Sequence, residues 1–553
     1  MLLPTLYLAL ANPATADLTA VLESELHRTM EYLAGTPAQP YFLAYRVDDT
    51  QTTNLEASHG GLTHHREDPL RTLVVTVRVG SPALDNSHTM RGEKDATLME
   101  VRRGLLTLDG PDRGIQAQVW GATQRALRDA QDRLQRVLQT QTVQVPEIDR
   151  SGDFRPEPPH QWNGPAAKGV LDAAAWATRL PPISTLLAED PQIEGGEARL
   201  NWQRSTSTLV NSEGSRIRQE RSGGTVTLTA YTTAPDGALL WRSEARFATE
   251  PSQLPDQATL RELASQIHTD LGELRAAPLG EPYAGPVLLS GAAAAVLLHE
   301  LIGHNSEGDL VKDESGAQTF RDARGTSLLP RSFIVYDDPR LTQYAGTPLA
   351  GSYVYDDEGV PAERVDLIVD GVLRAFLLSR SPVDGAPCSN GHGRAPLGGS
   401  AGPRTGNLIL ESRAPKSPED LRAELRRLAR EQGLEAGIYV ETIHGGEAQV
   451  GRAEANTFQI ETEQVWRVYT DGRPDTRVRG LDLVGTPLLT LRQVVEAGDD
   501  PQVLNGMCGK GDGHIPTSII SPSLLLRAAE LQRAETTVSR PPILPKPARS
   551  GRS

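Results

Sequence analysis

The chain has 553 residues, 38% of them apolar, which suffices for two to four domains that each bury a core. A formal net charge of −15 excludes the basic footprint that phosphate backbones require, because non-specific nucleic-acid binding comes from clustered Lys and Arg. No run approaches the roughly 18 apolar residues of a membrane-spanning helix, so neither nucleic acid nor a membrane span is expected.

Residues 2–11 form a short apolar run, and Ala14-Thr15-Ala16 suits a signal-peptide cleavage site, although no basic stretch precedes it. Residues 1–16 are read as a leader, with a periplasmic or exported location favoured over the cytoplasm. The two cysteines, Cys388 and Cys508, would in an exported protein form a disulfide on the simplest reading.

A helix is expected over 18–33, and 41–47 and 71–79 read as strands because they are β-branched and partly alternating. Residues 120–138 place Leu127, Ala130, Leu134 and Leu138 at helical spacing, so a long amphipathic helix covers that sheet. These elements make an N-terminal α/β domain over 17–150, closed by the proline-rich segment 154–159. A central region over 151–280 follows: an antiparallel meander over 198–247 turning at Asn211-Ser212-Glu213-Gly214, Gly223-Gly224 and Asp236-Gly237, then a helix with Leu260, Leu263, Ile267, Leu271 and Leu274 as its buried stripe.

Residues 281–533 are read as a C-terminal domain. It opens with an apolar strand at 287–289 and an alanine-rich helix over 291–301. Asp370-Gly371 and Asp471-Gly472 mark hairpins, and a further helix is capped by Ser417, has Pro418 in its first turn and ends at Gly433. The Pro/Arg/Ser-rich tail 534–553 reads as disordered. The fold class is α+β: an N-terminal α/β layer, then a large, mainly antiparallel β-rich C-terminal domain carrying the helix with the chemistry.

That helix ends in His299-Glu300-Leu301-Ile302-Gly303-His304. Zinc motifs of the His-Glu-x-x-His type space their histidines four apart, about 40° around a helix; a spacing of five gives about 140°, too wide to aim both rings at one ion. A π-type bulge or helix end at Gly303 would swing His304 back. Two histidines leave one of the three usual protein ligands of a catalytic zinc to find. Cys508 is the best candidate, since its Gly-rich loop Asn505-Gly506-Met507-Cys508-Gly509-Lys510-Gly511 allows close approach and Lys510 favours a thiolate. His392, His444, His514, Glu307 and Asp309 remain rivals. Glu300, beside the first ligand, is placed to take a proton from water attacking a carbonyl and to return it to the leaving amine. His392 and Arg394 are candidates for binding substrate as second oxyanion donors. Asp356-Asp357-Glu358-Gly359 lacks the EF-hand spacing and reads as a polar turn.

Taken in order, Asn211-Ser212-Glu213-Gly214, the block from His299 to Glu307-Gly308-Asp309, Asp356-Asp357-Glu358-Gly359, Asn390-Gly391-His392-Gly393-Arg394 and Met507-Cys508-Gly509-Lys510 resemble the TldD/PmbA family, in its metal-bearing TldD-type branch. The resemblance implies a zinc site of His299, His304 and Cys508 and a peptidase acting on unstructured polypeptides. It also implies a homodimer or a heterodimer with a PmbA-type subunit. After Lys510 the family pattern would continue Gly-Gln, whereas this chain has Gly511-Asp512-Gly513-His514. The alternative is a non-catalytic peptide-binding or partner subunit with a structural metal; retention of Glu300 discriminates against it, because a structural site needs no adjacent base.

Overall fold

A computed structural model describes residues 18–37, 39–90, 101–141, 149–312, 319–449, 457–510 and 513–534. The leader at 1–16 and, but for its first residue, the tail at 534–553 lie outside these.

In chain order the first half contains α1 (Leu18–Leu33), β1 (Phe42–Ser58), β2 (Gly61–Arg78), β3 (Val101–Leu105), α2 (Asp112–Gln141), β4 (Gln161–Asn163), α3 (Ala173–Leu187), β5 (Gly195–Asn211), β6 (Arg216–Thr233), β7 (Leu239–Ala248) and α4 (Gln257–Ala276). Its strands form one seven-stranded sheet in the order β3-β2-β1-β5-β6, with β4 and β7 sharing the far edge of β6. Alternation sets its faces. Leu43, Tyr45, Val47, Leu73, Val75 and Val77 pack under α1 and α2, and Leu55, Ala57, Leu200 and Leu228 pack under α3 and α4. The opposite face, at Phe42, Ala44 and Leu209, meets Phe154 and Tyr355.

Two expectations need correction. A division at residue 150 cuts this sheet in two, because β1 pairs with β5 along Ala44–Ser58. Gly223-Gly224 is not a turn: both lie inside β6, where a Cβ on Gly224 would come within 2.7 Å of Trp202. Glycine is there to let the indole lie across the strand. Helix α3 carries Pro181 and Pro182 inside it; Asp172 caps its start, and the Ser184 and Thr185 hydroxyls donate to the carbonyl of Pro181.

The second half threads two further sheets alternately. β8 (Tyr283–Leu289) begins the second sheet and leads into α5 (Gly291–Leu298); α6 (Gly308–Lys312) follows. β9 (Phe333–Asp337), β10 (Val365–Val369), β11 (Val372–Leu373) and β12 (Asn407–Ser412) belong to the third sheet. After α7 (Pro418–Glu431), β13 (Ala436–Gln449), β14 (Thr457–Tyr469), β15 (Thr476–Val478), β16 (Leu481–Gly485) and β17 (Val494–Ala497) return to the second. β18 (Gln502–Lys510) and β19 (Gly513–Ser521) complete the third, and β20 (Leu524–Arg533) pairs with both β16 and β8, so the second sheet closes on itself through β8-β13-β14-β16-β20. The expected turn chemistry is present: Asp370 and Gly371 both have positive φ (52° and 75°), as a tight hairpin needs, and Ser417 caps α7 by accepting from the N–H of Asp420.

α5 lies between the closed sheet and the third sheet, touching β13 on one side and β18 and β19 on the other. Its sequence, Gly-Ala-Ala-Ala-Ala-Val-Leu-Leu, is apolar all round, as a helix buried on every side must be. The small alanines let both sheets approach, which delivers the end of α5 into the seam between them.

The two halves are joined at a buried charge cluster. Arg242 of β7 pairs with Glu463 of β14 (2.9 Å), Asp270 of α4 (3.1 Å) and Glu244 (2.6 Å). Three carboxylates share one guanidinium, and burial pushes Glu463 up to about 7 despite Arg242. A carboxyl raised in the fold stabilises fully below its unfolded value near 4.5 and loses that contribution as pH rises through about 7. Between pH 5 and pH 8 the protein should therefore lose about 2 kcal/mol of stability from this group. Urea unfolding at both pH values should show that loss in the wild type and not in Glu463→Gln; the same change in both would contradict it.

Candidate metal centre

The helix leaving the seam widens by one residue per turn where the histidine spacing requires it. Residues His299–Gly303 form a π turn in which the N–H of His304 donates to the carbonyl of His299, five residues back. This extra residue returns His304 over His299, with ring centroids 4.6 Å apart. Gly303 fits beneath the first ring: a Cβ there would lie 3.1 Å from His299 Nδ1. Asn305 then closes the helix by donating from Nδ2 to the carbonyls of Glu300 and Leu301.

Cys508 reaches the same place from β18, the edge strand of the third sheet, where alternation turns its thiol inward (1% exposed) and leaves Met507 outward (59%). His299, His304 and Cys508 each offer a ligand atom, and the three atoms lie within 4.8 Å of one another. Cys508 Sγ is 3.9 Å from His304 Nε2. Zinc bonds of about 2.0 Å to nitrogen and 2.3 Å to sulfur at a tetrahedral angle set these atoms about 3.5 Å apart, close to what is found. Nδ1 of His299 is buried with no hydrogen-bond partner among the described residues. The donor set, borderline-soft sulfur with two imidazoles, suits zinc.

Around these three lies a second set of charges. His304 Nδ1 donates to Glu307 Oε1 (3.2 Å), which leaves Nε2 facing Cys508. Glu307 Oε2 accepts from Lys510 Nζ (2.7 Å), which also pairs with Asp309 Oδ2 (2.6 Å). Arg404 Nη2 donates to Cys508 Sγ (3.1 Å) and to the Cys508 carbonyl (2.7 Å). Burial alone would raise the Cys508 thiol, but the His299 and His304 imidazoles beside it bring it down to about 4. Burial likewise works against ionised Glu307, yet Lys510 and His304 hold its carboxyl well below the usual range. Glu300 is 5% exposed, and burial pushes its carboxyl up; its Oε2 lies 4.0 Å from His304 Nε2. β13 passes directly over it, so closely that a Cβ on Gly446 would sit 3.1 Å from Glu300 Cγ.

The structure thus brings Glu300, His299, His304 and Cys508 together; of the other candidates, Glu307 stands behind His304 as its partner, and His514 is exposed on β19 opposite Gly509. Cys388 is exposed and Cys508 buried, both as free thiols, so they are not a disulfide. Lys510 bonds carboxylates and not the thiol, whose cation is Arg404. Glu307 and Asp309 are engaged by Lys510, and the His444 ring stacks on Trp241 with centroids 3.4 Å apart. His392 and Arg394 do not line an opening. His392 is fully buried, with Nε2 3.1 Å from Asp337 Oδ1, and Arg394 donates to the carbonyl of Thr405 and lies over the Tyr353 ring.

Their place is in a polar scaffold. Asp356 accepts from the N–H groups of Glu358, Val360 and Gly393, and Asp357 from that of Ala395. Asp337 accepts from Gly406 and Asn407 as well as His392. Gly393 pairs with Pro403, and the N–H of Arg404 donates to the His392 carbonyl. The two polar blocks therefore fix the segment that presents Arg404. Sequence reading passed over Arg404 because Gly402-Pro403-Arg404-Thr405-Gly406 resembles any polar turn; only the pairing of that turn with the His392 segment distinguishes it.

Residues 282–533 match the family model described as the PmbA/TldA metallopeptidase C-terminal domain. A metalloprotease of Methanothermobacter thermautotrophicus is 26% identical over 329 residues, covering 59% of this chain and 67% of that protein. A zinc metalloprotease TldD homolog of Saccharolobus solfataricus is 27% identical over 250 residues, 44% of this chain and 51% of that protein. The chain thus spans about two thirds of the first relative's length and about half of the second's. TldE from Thermococcus kodakarensis has the same fold, with a TM-score of 0.60 at 13% identity over 92% of this chain and 99% of that one.

Proposed function

Through residues 282–533 the chain belongs to the TldD/PmbA family, and from that premise we propose that it is a zinc-dependent peptidase acting on unstructured polypeptides. The observation that supports this most is the convergence of His299, His304 and Cys508 on one point with a buried carboxylate, Glu300, against them. A zinc ion held by those three would keep one position open, acidify water and polarise a carbonyl. The remaining work belongs to side chains. Glu300 takes the proton of the attacking water and delivers it to the leaving amine; a carboxyl raised by burial is suited to both transfers, because a shuttle works best with a pKa near the operating pH. Glu307 holds His304 in the tautomer that presents Nε2, with Lys510 balancing its charge.

No helix among the described residues is long and apolar enough to cross a membrane. The assembly expected on this reading is a homodimer or a heterodimer with a PmbA-type subunit. The test is metal removal and return. Cleavage of a mixture of unstructured peptides should fall to background on chelation and recover with one equivalent of zinc. Cleavage indifferent to chelation would refute the proposal, and a zinc-loaded chain that binds peptides without cutting them would favour a non-catalytic subunit.

A further inference from the structure

Beside the thiol sits a cation that the proposed reaction does not use. Arg404 is 2% exposed, and its Nη2 grips Cys508 twice, at Sγ (3.1 Å) and at the backbone carbonyl (2.7 Å). Its Nε has no hydrogen-bond partner among the described residues and faces Glu307 Oε1 at 3.7 Å. Glu307 is the acceptor of His304 Nδ1. One guanidinium therefore touches the sulfur directly and one imidazole through a single carboxylate. The scaffold around Asp337, Asp356 and His392 is spent on holding its backbone, and burying an arginine among so few acceptors is costly unless it has a task.

We propose that Arg404 is a positioning residue of the metal-binding set. It fixes Cys508 Sγ and, through Glu307, the His304 ring in one arrangement, and it draws electron density from the sulfur by a charge-assisted hydrogen bond. A sulfur so engaged donates less to a bound cation, which leaves the cation more electrophilic. Lysine is no equivalent, because an ammonium cannot present the two edges of a planar fork to the sulfur and the carboxylate together. The inference rests on the reading of His299, His304 and Cys508 as metal ligands.

The experiment uses the full chain loaded with cobalt(II), whose thiolate-to-metal charge-transfer absorption reports the sulfur directly. The wild type, Arg404→Lys and Arg404→Met are compared by that absorption, by cobalt affinity in competition with a chelator and by circular dichroism. We expect the band to move to lower energy in Arg404→Met, because the sulfur regains electron density, and the affinity to fall about 10- to 100-fold, because the lost positioning of Cys508 and His304 outweighs that gain, with Arg404→Lys between. If the methionine variant does not fold, the lysine variant carries the same comparison. An arginine with a merely structural role would lower stability and leave the band of the folded protein in place. Folded variants with an unmoved band and unchanged affinity would overturn the role of Arg404 alone. A wild type with no such band would overturn the metal reading and this inference with it.

Discussion

Replacing Glu300 by glutamine should lower peptide cleavage about 10²- to 10⁴-fold, the usual contribution of a positioned acid–base group, and leave metal content unchanged. The amide keeps the volume of the carboxylate, so the packing of Gly446 above it and of the His304 ring beside it is preserved. What it removes is the ability to accept a proton. Neither Glu307, bound to His304 and Lys510, nor Asp309, bound to Lys510, is free to take its place. Values of kcat/KM and metal content measured on the same preparations decide the matter. Near wild-type cleavage in the glutamine variant would remove Glu300 from the chemistry; loss of metal together with activity would make it part of the site's architecture instead.

The second large effect is expected at Glu307. This carboxylate is 1% exposed and lies against His304, Lys510 and Arg404. In Glu307→Gln the buried Arg404 and the half-buried Lys510 lose their shared counter-charge. Breaking a buried pair from one side costs about 3–5 kcal/mol, and the lower end is expected because Asp309 still faces Lys510. His304 exchanges a charged acceptor for a neutral amide oxygen, which fixes its tautomer less firmly, so zinc affinity should drop about 10- to 100-fold, as for other outer partners of metal-binding histidines. Thermal unfolding and a zinc competition titration check the two parts separately. A variant as stable as the wild type with unaltered zinc affinity would show that the network does not support the site.

Much of this site was legible in the chain because its strongest cues are local. Five-residue spacing of histidines is incompatible with a regular helix, so a π-type bulge or a helix end is required at Gly303, and the structure has the π turn. The alanine-rich run before it could only be a buried helix, and the Asp370-Gly371 and Ser417-Pro418 signals mark turns whose chemistry is self-contained. What escaped depends on pairing between distant segments. Arg404 acts on Cys508 across 104 positions, and its placement follows from a small ladder with Gly393 that no periodicity announces. His392 and Arg394 looked like donors to a substrate because charged residues among glycines suit an open loop; burial gave them to Asp337 and Thr405 instead. Lys510 lies on the same face of β18 as Cys508, two residues earlier, but its ammonium is taken by Glu307 and Asp309, so the cation at the thiol comes from Arg404 instead. The boundary drawn at residue 150 failed for the same reason as the Gly223-Gly224 turn: both were inferred from local breakers in a sheet whose order is set by long-range pairing.

The most direct test of the account is metal content by mass spectrometry of the purified wild type and Cys508→Ser, with peptide cleavage followed in parallel. About one zinc per wild-type chain is expected, with a joint loss of zinc and cleavage in the serine variant. A wild type that stays free of zinc after purification without chelators and resupply of the metal would contradict it.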